Sequence, residues 1–431
     1  MSILRSMHTG ASGLRSHSSA IGVTGDNIAN VNTTGFKRAR GVFEDILGRS
    51  IAGSNASPMA GAGSRLAHIE QMWTQGALLT TDSPTDLALS GNGFFMVEGN
   101  AGGMQGRFFT RAGQFHIDQA GFLTNPNGMQ LLGYPAQADG SVGAQLGALQ
   151  VGGGTLPANP TTSGDISVNL DANTPVDPAF DPADPSGTSS FSTSMTVYDS
   201  LGNSHDVTIY FNKDAANSWN WHAMVDGAEI TGGTPGVPFE GAAGTLTFTT
   251  DGELDTEAIT VNNFDFAGAT PGQTITFDFG DAITTDGGSG LGATTQFGSP
   301  STTAGLGQDG YSAGTVSGIS IESDGTVTGV FSNGQRRTLG QVAVADFASE
   351  HGLERAGQGL WVDTAASGEP LVGAASTGGR GSIVAGALEG SNVDIGREFV
   401  DLISFQRGFQ ANSRIITTAD EMYGELVNLK R

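Results

Sequence analysis

Any chemistry in this chain must come from a short roster of side chains. Seven histidines are present, His8, His17, His68, His116, His205, His222 and His351, and no two stand at the H-x-x-x-H spacing that lets one helix face hold a metal ion. His8 and His17 fall near the start, where they read as surface or polar interface residues. There is no cysteine, which removes disulfides, thiolate metal ligands and thiol nucleophiles. The sequence holds no G-x-S-x-G elbow, no P-loop and no dinucleotide fingerprint. Asp177, Asp181 and Asp184 form an acidic stretch that would attract calcium weakly. They lack EF-hand spacing and prolines stiffen them, so a solvated loop is expected. Trp219 and Trp221 flank Asn220 and so face one side of a strand. Core is the expected role, with carbohydrate stacking the alternative. No catalytic set, cofactor site or metal site assembles, and the chain reads as non-enzymatic.

The elements best able to organise a site are at the two ends. Met7, Leu14, Ile21 and Ile28 recur every seven residues, which places them on one stripe of a helix. The layer beside them, Leu4, Ala11, Ser18 and Gly25, is mostly small and lets another backbone come close. Asn30-Val-Asn-Thr-Thr-Gly35 breaks the pattern with turn formers, and Gly35 is the expected C-cap. At the other end Ile395, Leu402, Phe409, Ile416 and Tyr423 also lie seven apart, with Phe405, Asn412, Ala419 and Leu426 in the adjacent layer. A helix over residues 393–430 would be about 57 Å long. Its stripe is too narrow to bury a globular core and suits a coiled-coil seam. An intramolecular helical hairpin is one reading. A terminal pair that other subunits complete is the second, and the matched period at such a separation favours it.

Between the ends the period changes to two. Phe191, Thr193, Met195 and Val197 alternate, and after the turn Leu201–Ser204 so do Val207, Ile209 and Phe211, a β-hairpin pattern. Ile275, Phe277 and Phe279 alternate likewise, as do Ile319 and Ile321. Turn dipeptides recur at Asn127-Gly128, Asp139-Gly140, Asp226-Gly227, Asp251-Gly252, Asp286-Gly287, Asp324-Gly325 and Asn333-Gly334. Each is expected to supply the positive φ of a tight hairpin. Many short strands joined this way mean sandwiches or barrels. Residues 151–164, 172–190 and 281–309, rich in Gly, Pro, Asp, Ser and Thr, read as linkers bracketing an insert at 165–300 within a longer β domain.

The 431 residues are 37 % hydrophobic, enough for several folded domains. The net charge of −24 is uneven: residues 1–49 carry +3, residues 393–431 carry −1, and residues 50–392 carry −26. So acidic a middle disfavours nucleic acid and anionic membrane surfaces. Residues 1–30 hold no continuous apolar h-region, and no apolar run reaches transmembrane length, so neither a secretory signal nor a transmembrane helix is expected. Sparse Lys and Arg with abundant Gly, Thr and Asp look extracellular, and a signal-less export route reconciles the two.

The run Ser12-Gly-Leu-Arg15 followed by Gly25 through Lys37 resembles the signature of the bacterial flagellar rod and hook protein family. Asn27, Ala29, Asn30, Asn32, Thr33, Gly35 and Phe36 carry that half. Leu388 through Asp394 and Leu402 through Arg414 resemble the other half, through Ser391, Asn392, Val393, Gln406 and Gln410. Met195 through His205 with Tyr210-Phe211, Asp309 through Gly314, Asp324-Gly325 and Ser332 through Gln335 look like the hook members. Gly91 through Phe95 is shared with rod members. The resemblance spans most of the chain and thins over residues 212–305.

The resemblance implies a structural subunit of the flagellar hook, polymerising into a flexible tubular universal joint that transmits torque from rod to filament. The implied place is extracellular, reached without a cleavable signal peptide. Implied partners are other copies in a helical homopolymer, the rod, the hook cap, the hook-filament junction proteins and the flagellar export machinery, with no nucleic acid and no membrane insertion. The expected fold is mainly β: nested sandwich or barrel-like domains from a discontinuous chain, with terminal helices paired as a coiled-coil-like polymerisation domain. Its expected parts are an inner-tube helix at 1–40, a connecting segment at 41–72, a middle β domain at 73–150 and 310–389, an inserted outer β domain at 151–309, and a second inner-tube helix at 390–431. The expected polymerisation interface is Met7, Leu14, Ile21, Ile28, Ile395, Leu402, Phe405, Phe409, Ile416, Tyr423 and Leu426. Two other readings stay open. A distal rod subunit would lack the 165–300 insert. An extracellular β-rich adhesin or glycan-binding protein would leave the matched ends unexplained.

Overall fold

The computed structural model describes residues 3–47, 61–137 and 139–428. The chain is mainly β, with its terminal helices packed on each other, and divides into two units. The first comprises Met1–Gly154, Ser317–Val330 and Arg336–Arg431; the second comprises Thr155–Val316 and Phe331–Gln335.

In the first unit the N-terminal helix is Ile3–Ala29 and the C-terminal helix is Ile395–Asn428. Neither contains proline, and Asp394 starts the second by accepting the Arg397 N–H at 3.1 Å. The first ends as Asn30 folds back, its side-chain amide donating to the Asp26 carbonyl at 2.8 Å. Gly35 is therefore not the cap. It lies beyond the helix at φ +68, and a Cβ there would meet the Arg111 and Ala112 backbone at 2.6 Å. Strands Ala39–Leu47 and Gly61–Gln71 then form an antiparallel hairpin, Ala39 opposite Gln71, packed along the N-terminal helix.

The main sheet of this unit runs antiparallel through Arg336–Asp346, Gln130–Pro135, Phe94–Ala101, Met104–Thr110, Leu360–Val362 and Glu354–Gly357. Phe94-Phe95-Met96-Val97 is an unbroken apolar run because both sheet faces are covered. Phe95 and Val97 join one core with Leu131, Val342 and Val344; Phe94 and Met96 join the other with Phe109, Leu132 and Trp361.

The second unit stacks a five-stranded antiparallel meander on a three-stranded sheet. The meander is Phe191–Tyr198, Ser204–Ala215, Ser218–Asp226, Pro238–Phe248 and Leu254–Asn262, with Phe191 opposite Phe211 as the alternation predicts. In the smaller sheet Ser163–Asn169 pairs Thr276–Asp278 in parallel and Thr302–Gln308 antiparallel. Residues 302–308 are thus a strand and not part of a linker. Trp219 and Trp221 are wholly buried among Val207, Phe211, Phe277 and Phe279, so they are core and present no stacking platform. Asp177 ties its loop to the meander, accepting the Lys213 N–H at 2.8 Å. Of the turn dipeptides, Asp226-Gly227 departs from expectation: Gly227 opens a 3₁₀ turn and lacks positive φ, whereas the other glycines have it.

Candidate assembly site

The helix pair meets through small residues. A Cβ on Gly10 would lie 3.1 Å from Ile416, and one on Gly13 would lie 2.7 Å from the Asn412 side chain. Gly408 does the same for the C-terminal helix, where a Cβ would strike the His17 ring at 2.6 Å. Gly10, Gly13, Ser16, Ala20, Thr24 and Asn27 form the buried face of the N-terminal helix. The seam expected from the seven-residue period is displaced accordingly. Met7, Leu14, Ile21 and Ile28 are only half-buried and flank the contact, and in the expected small layer Ser18 and Gly25 are exposed. On the C-terminal helix Leu402, Phe405, Phe409 and Ile416 are half-buried, whereas Ile395 and Tyr423 are exposed. The Leu426 side chain lies outside the described residues.

Hydrogen bonds fasten the hairpin to this pair. The Ser16 hydroxyl donates to the Ser64 carbonyl at 3.1 Å, and Ser12 Oγ accepts the Ser64 N–H at 3.2 Å. Asn27, fully buried, grips the hairpin's first residue from both sides: its amide donates to the Ala39 carbonyl at 2.7 Å and its Oδ1 accepts the Ala39 N–H at 2.8 Å. Its amide also donates to Glu398 at 3.0 Å. His17, Phe43 and Phe405 close an aromatic triangle with centroids 6.1–6.2 Å apart.

Both chain ends are tied to the β unit by a buried ionic knot. Lys37 Nζ donates to Glu389 Oε1 at 2.7 Å and to the Thr74 carbonyl at 3.0 Å. Glu389 also accepts from the Gly76 N–H at 2.9 Å and from Arg111 at 3.4 Å. The side chains of Lys37, Glu389 and Arg111 are 1, 0 and 3 % exposed, so these charges answer to one another and not to water. Burial holds the Lys37 ammonium below its usual pKa, with Glu389 pulling the other way. Burial likewise raises the Glu350 carboxyl, partly offset by Arg111. Beside the knot, the Arg38 N–H donates to Asn392 Oδ1 at 2.7 Å, and its guanidinium pairs with Glu398 and, at 3.0 Å, with Asp401. Asn392 donates to the Met72 carbonyl at 2.8 Å. Arg355 lies over the Phe36 ring at 5.4 Å.

The signature positions thus divide. Asn27, Gly35, Phe36 and Asn392 hold the joint, Asn30 closes the end of the N-terminal helix, and Ser391 accepts the Val393 N–H at 3.3 Å. Thr33 bonds Asn30 at 3.1 Å, while Ala29, Asn32, Gln406 and Gln410 are exposed. Sequence reasoning missed Phe399, Val400 and Ile403, all exposed on the C-terminal helix, because a search in steps of seven from Ile395 passes over them. It also missed Arg111 and Glu389, which carry no local pattern. Among the described residues no group of three or more His, Cys, Asp or Glu is placed to hold a metal ion. No described helix is long and apolar enough to cross a membrane.

Four family models match the chain: Flagella basal body rod protein over residues 7–37, Flagellar hook protein FlgE/F/G D1 domain over 88–173, Flagellar basal body protein FlaE D2 domain over 169–311, and Flagellar basal body rod FlgEFG protein C-terminal over 384–429. The flagellar hook protein FlgE of Borreliella burgdorferi is 34 % identical, with 99 % of this chain and 100 % of that one aligned. That of Salmonella typhimurium is 34 % identical over 97 % and 98 %. The fold is similar to that of a crystallised flagellar hook protein of Helicobacter pylori, at a TM-score of 0.50 and 15 % identity, covering 71 % of this chain and 98 % of that one.

Proposed function

The chain belongs to the flagellar hook protein family as a structural subunit of the hook, and from that premise we propose how its parts divide the work. The helix pair builds the inner wall of a tubular homopolymer, and the β units stand outside it. The observation that carries this is the bare face of the C-terminal helix: Ile395, Phe399, Val400 and Ile403 are 46, 49, 67 and 49 % exposed, a patch that a lone soluble chain has no reason to keep. The half-buried Met7, Leu14, Ile21, Ile28, Leu402, Phe405, Phe409 and Ile416 complete the interface when further helices pack against their open sides. The ionic knot passes load between the helices and the first β unit. The second unit, acidic and rich in glycine, makes modest and reversible contacts with neighbours, so that protofilaments lengthen and shorten as a curved joint turns. The ends of such a tube meet the rod, the cap and the hook-filament junction proteins, and subunits reach it through the export machinery without a cleavable signal. A plain rod shaft would not need the unit that matches the FlaE D2 domain.

Electron microscopy of the purified chain after salting-out tests the reading. Tubes are expected; monomers or amorphous aggregates at every salt concentration would refute it.

A further inference from the structure

Resting on the polymer reading above, a finer question is which surfaces of two copies meet. The N-terminal helix, the hairpin and the C-terminal helix enclose a groove of about 430 Å³. Ala20, Val23, Phe43, Met72 and Phe405 give it an apolar strip among charged side chains. Phe43 is 38 % exposed there despite its aromatic neighbours, so the triangle it forms with His17 and Phe405 is open on one side. The C-terminal helix lends the groove Arg397, Glu398, Asp401 and Phe405. At 3.6 residues per turn, Ile395, Phe399 and Ile403 centre roughly 145° around the helix from those residues. One helix therefore presents a groove wall of three charged residues and Phe405 on one side and an apolar ridge on the other.

We infer that the ridge of one copy, Ile395, Phe399, Val400 and Ile403, seats in the groove of the next. Symmetry decides the occupant. Two ridges meeting each other would form a closed two-fold dimer and growth would stop. A ridge entering a groove on a different face is a head-to-tail contact, and a head-to-tail contact that does not close generates an open helical filament. The groove supplies aromatic and thioether surface for the Phe399 ring. Gln406 and Gln410 stand beside the ridge, as does the exposed Arg407, four residues beyond Ile403, while the groove rim mixes Arg40 and Arg397 with Glu398 and Asp401.

The absence of native cysteine makes the pairing directly testable. Val23→Cys on the groove's apolar strip and Val400→Cys on the ridge are introduced together, and the tubes are oxidised. The expected result is a ladder of covalent oligomers on a denaturing gel, absent from either single variant and from the dilute double variant. Separately, Phe399→Ala should raise the critical concentration for assembly about tenfold without moving the melting of the β units. Normal tubes that stay monomeric on the gel overturn the pairing and leave the polymer reading standing. Phe399→Ala assembling at the wild-type concentration also overturns it, and this measurement decides alone if the cysteine pair blocks assembly. A wild-type chain that never forms tubes overturns both.

Discussion

Replacing Glu389 by Gln removes one charge from the ionic knot and changes almost nothing in shape. The amide oxygen can still accept from the Gly76 N–H, now 2.9 Å from the carboxylate, so packing holds. Two cations, Lys37 and Arg111, are left buried against a neutral partner. Breaking a buried pair on one side costs about 3–5 kcal/mol, and the retained hydrogen bonds put the expected loss near the lower end, about 3 kcal/mol. That is a large part of a domain margin of about 5–15 kcal/mol. The exposed pair Arg40–Glu70, whose side chains are 54 and 28 % accessible, is the contrast: Arg40→Gln should cost under about 1 kcal/mol. Urea unfolding followed by tryptophan fluorescence measures both. Trp73 and Trp361 lie in the first unit, so a Trp219→Phe/Trp221→Phe background reports that unit alone. Alkaline pH gives a second reading. Because burial depresses Lys37 below its ordinary 10.5, the unfolded chain holds more protons between the folded and unfolded values. The contribution of this group to stability therefore rises with pH across that window. Loss of Glu389 removes the opposing pull and extends the window to lower pH. A Glu389→Gln loss no larger than that of Arg40→Gln would refute the account of the knot.

Leu402→Asp or Phe409→Asp should abolish tube formation while both β units still melt cooperatively, since an unpaired charge on the seam costs several kcal/mol at every subunit; normal tubes would remove these positions from the interface. Gly76→Ala should lower first-unit stability by about 2 kcal/mol or more in a thermal melt, because its Cβ would stand 2.0 Å from the Gly390 carbonyl oxygen, backbone against backbone; a melt within error of wild type would contradict this. Replacing residues 155–316 by a Gly/Ser bridge, with the buried Phe331 of that unit changed to Ser, should leave tubes that form but differ in curvature or bending stiffness. Unchanged curvature with full motility would deny the second unit its mechanical role.

Legibility in the sequence followed the range of the interaction. The hairpin of Phe191–Tyr198 with Ser204–Ala215 was readable because alternation and a Leu-Gly-Asn turn are local, and so were the two terminal helices. The face on which those helices meet was not. Periodicity marks large apolar residues, but the closest approach is made by Gly10 and Gly13, which carry no hydrophobic signal. Strand Thr302–Gln308 hid in a Gly- and Thr-rich stretch because its pairing to Ser163–Asn169 uses backbone groups that no composition reveals. The knot was half visible: Lys37 closes the N-terminal signature, but nothing near it names Glu389 or Arg111.

Lys37 and Glu389 are 352 positions apart, and that distance bears on when the first unit can exist. A chain made from its N-terminus has Lys37, Arg111 and half of the main sheet's strands long before Glu389. At equilibrium so long a closure is a mild burden, since each doubling of loop length adds only about 0.6 kcal/mol. In time it is a severe one, because a contact so distant must be found by search. A nascent or truncated chain would bury two cations with no anion, so it stays open until its tail arrives. A copy clipped before Glu389 lacks both the anion of the knot and the whole helix Ile395–Asn428, so the two ends of the joint are made last and lost together.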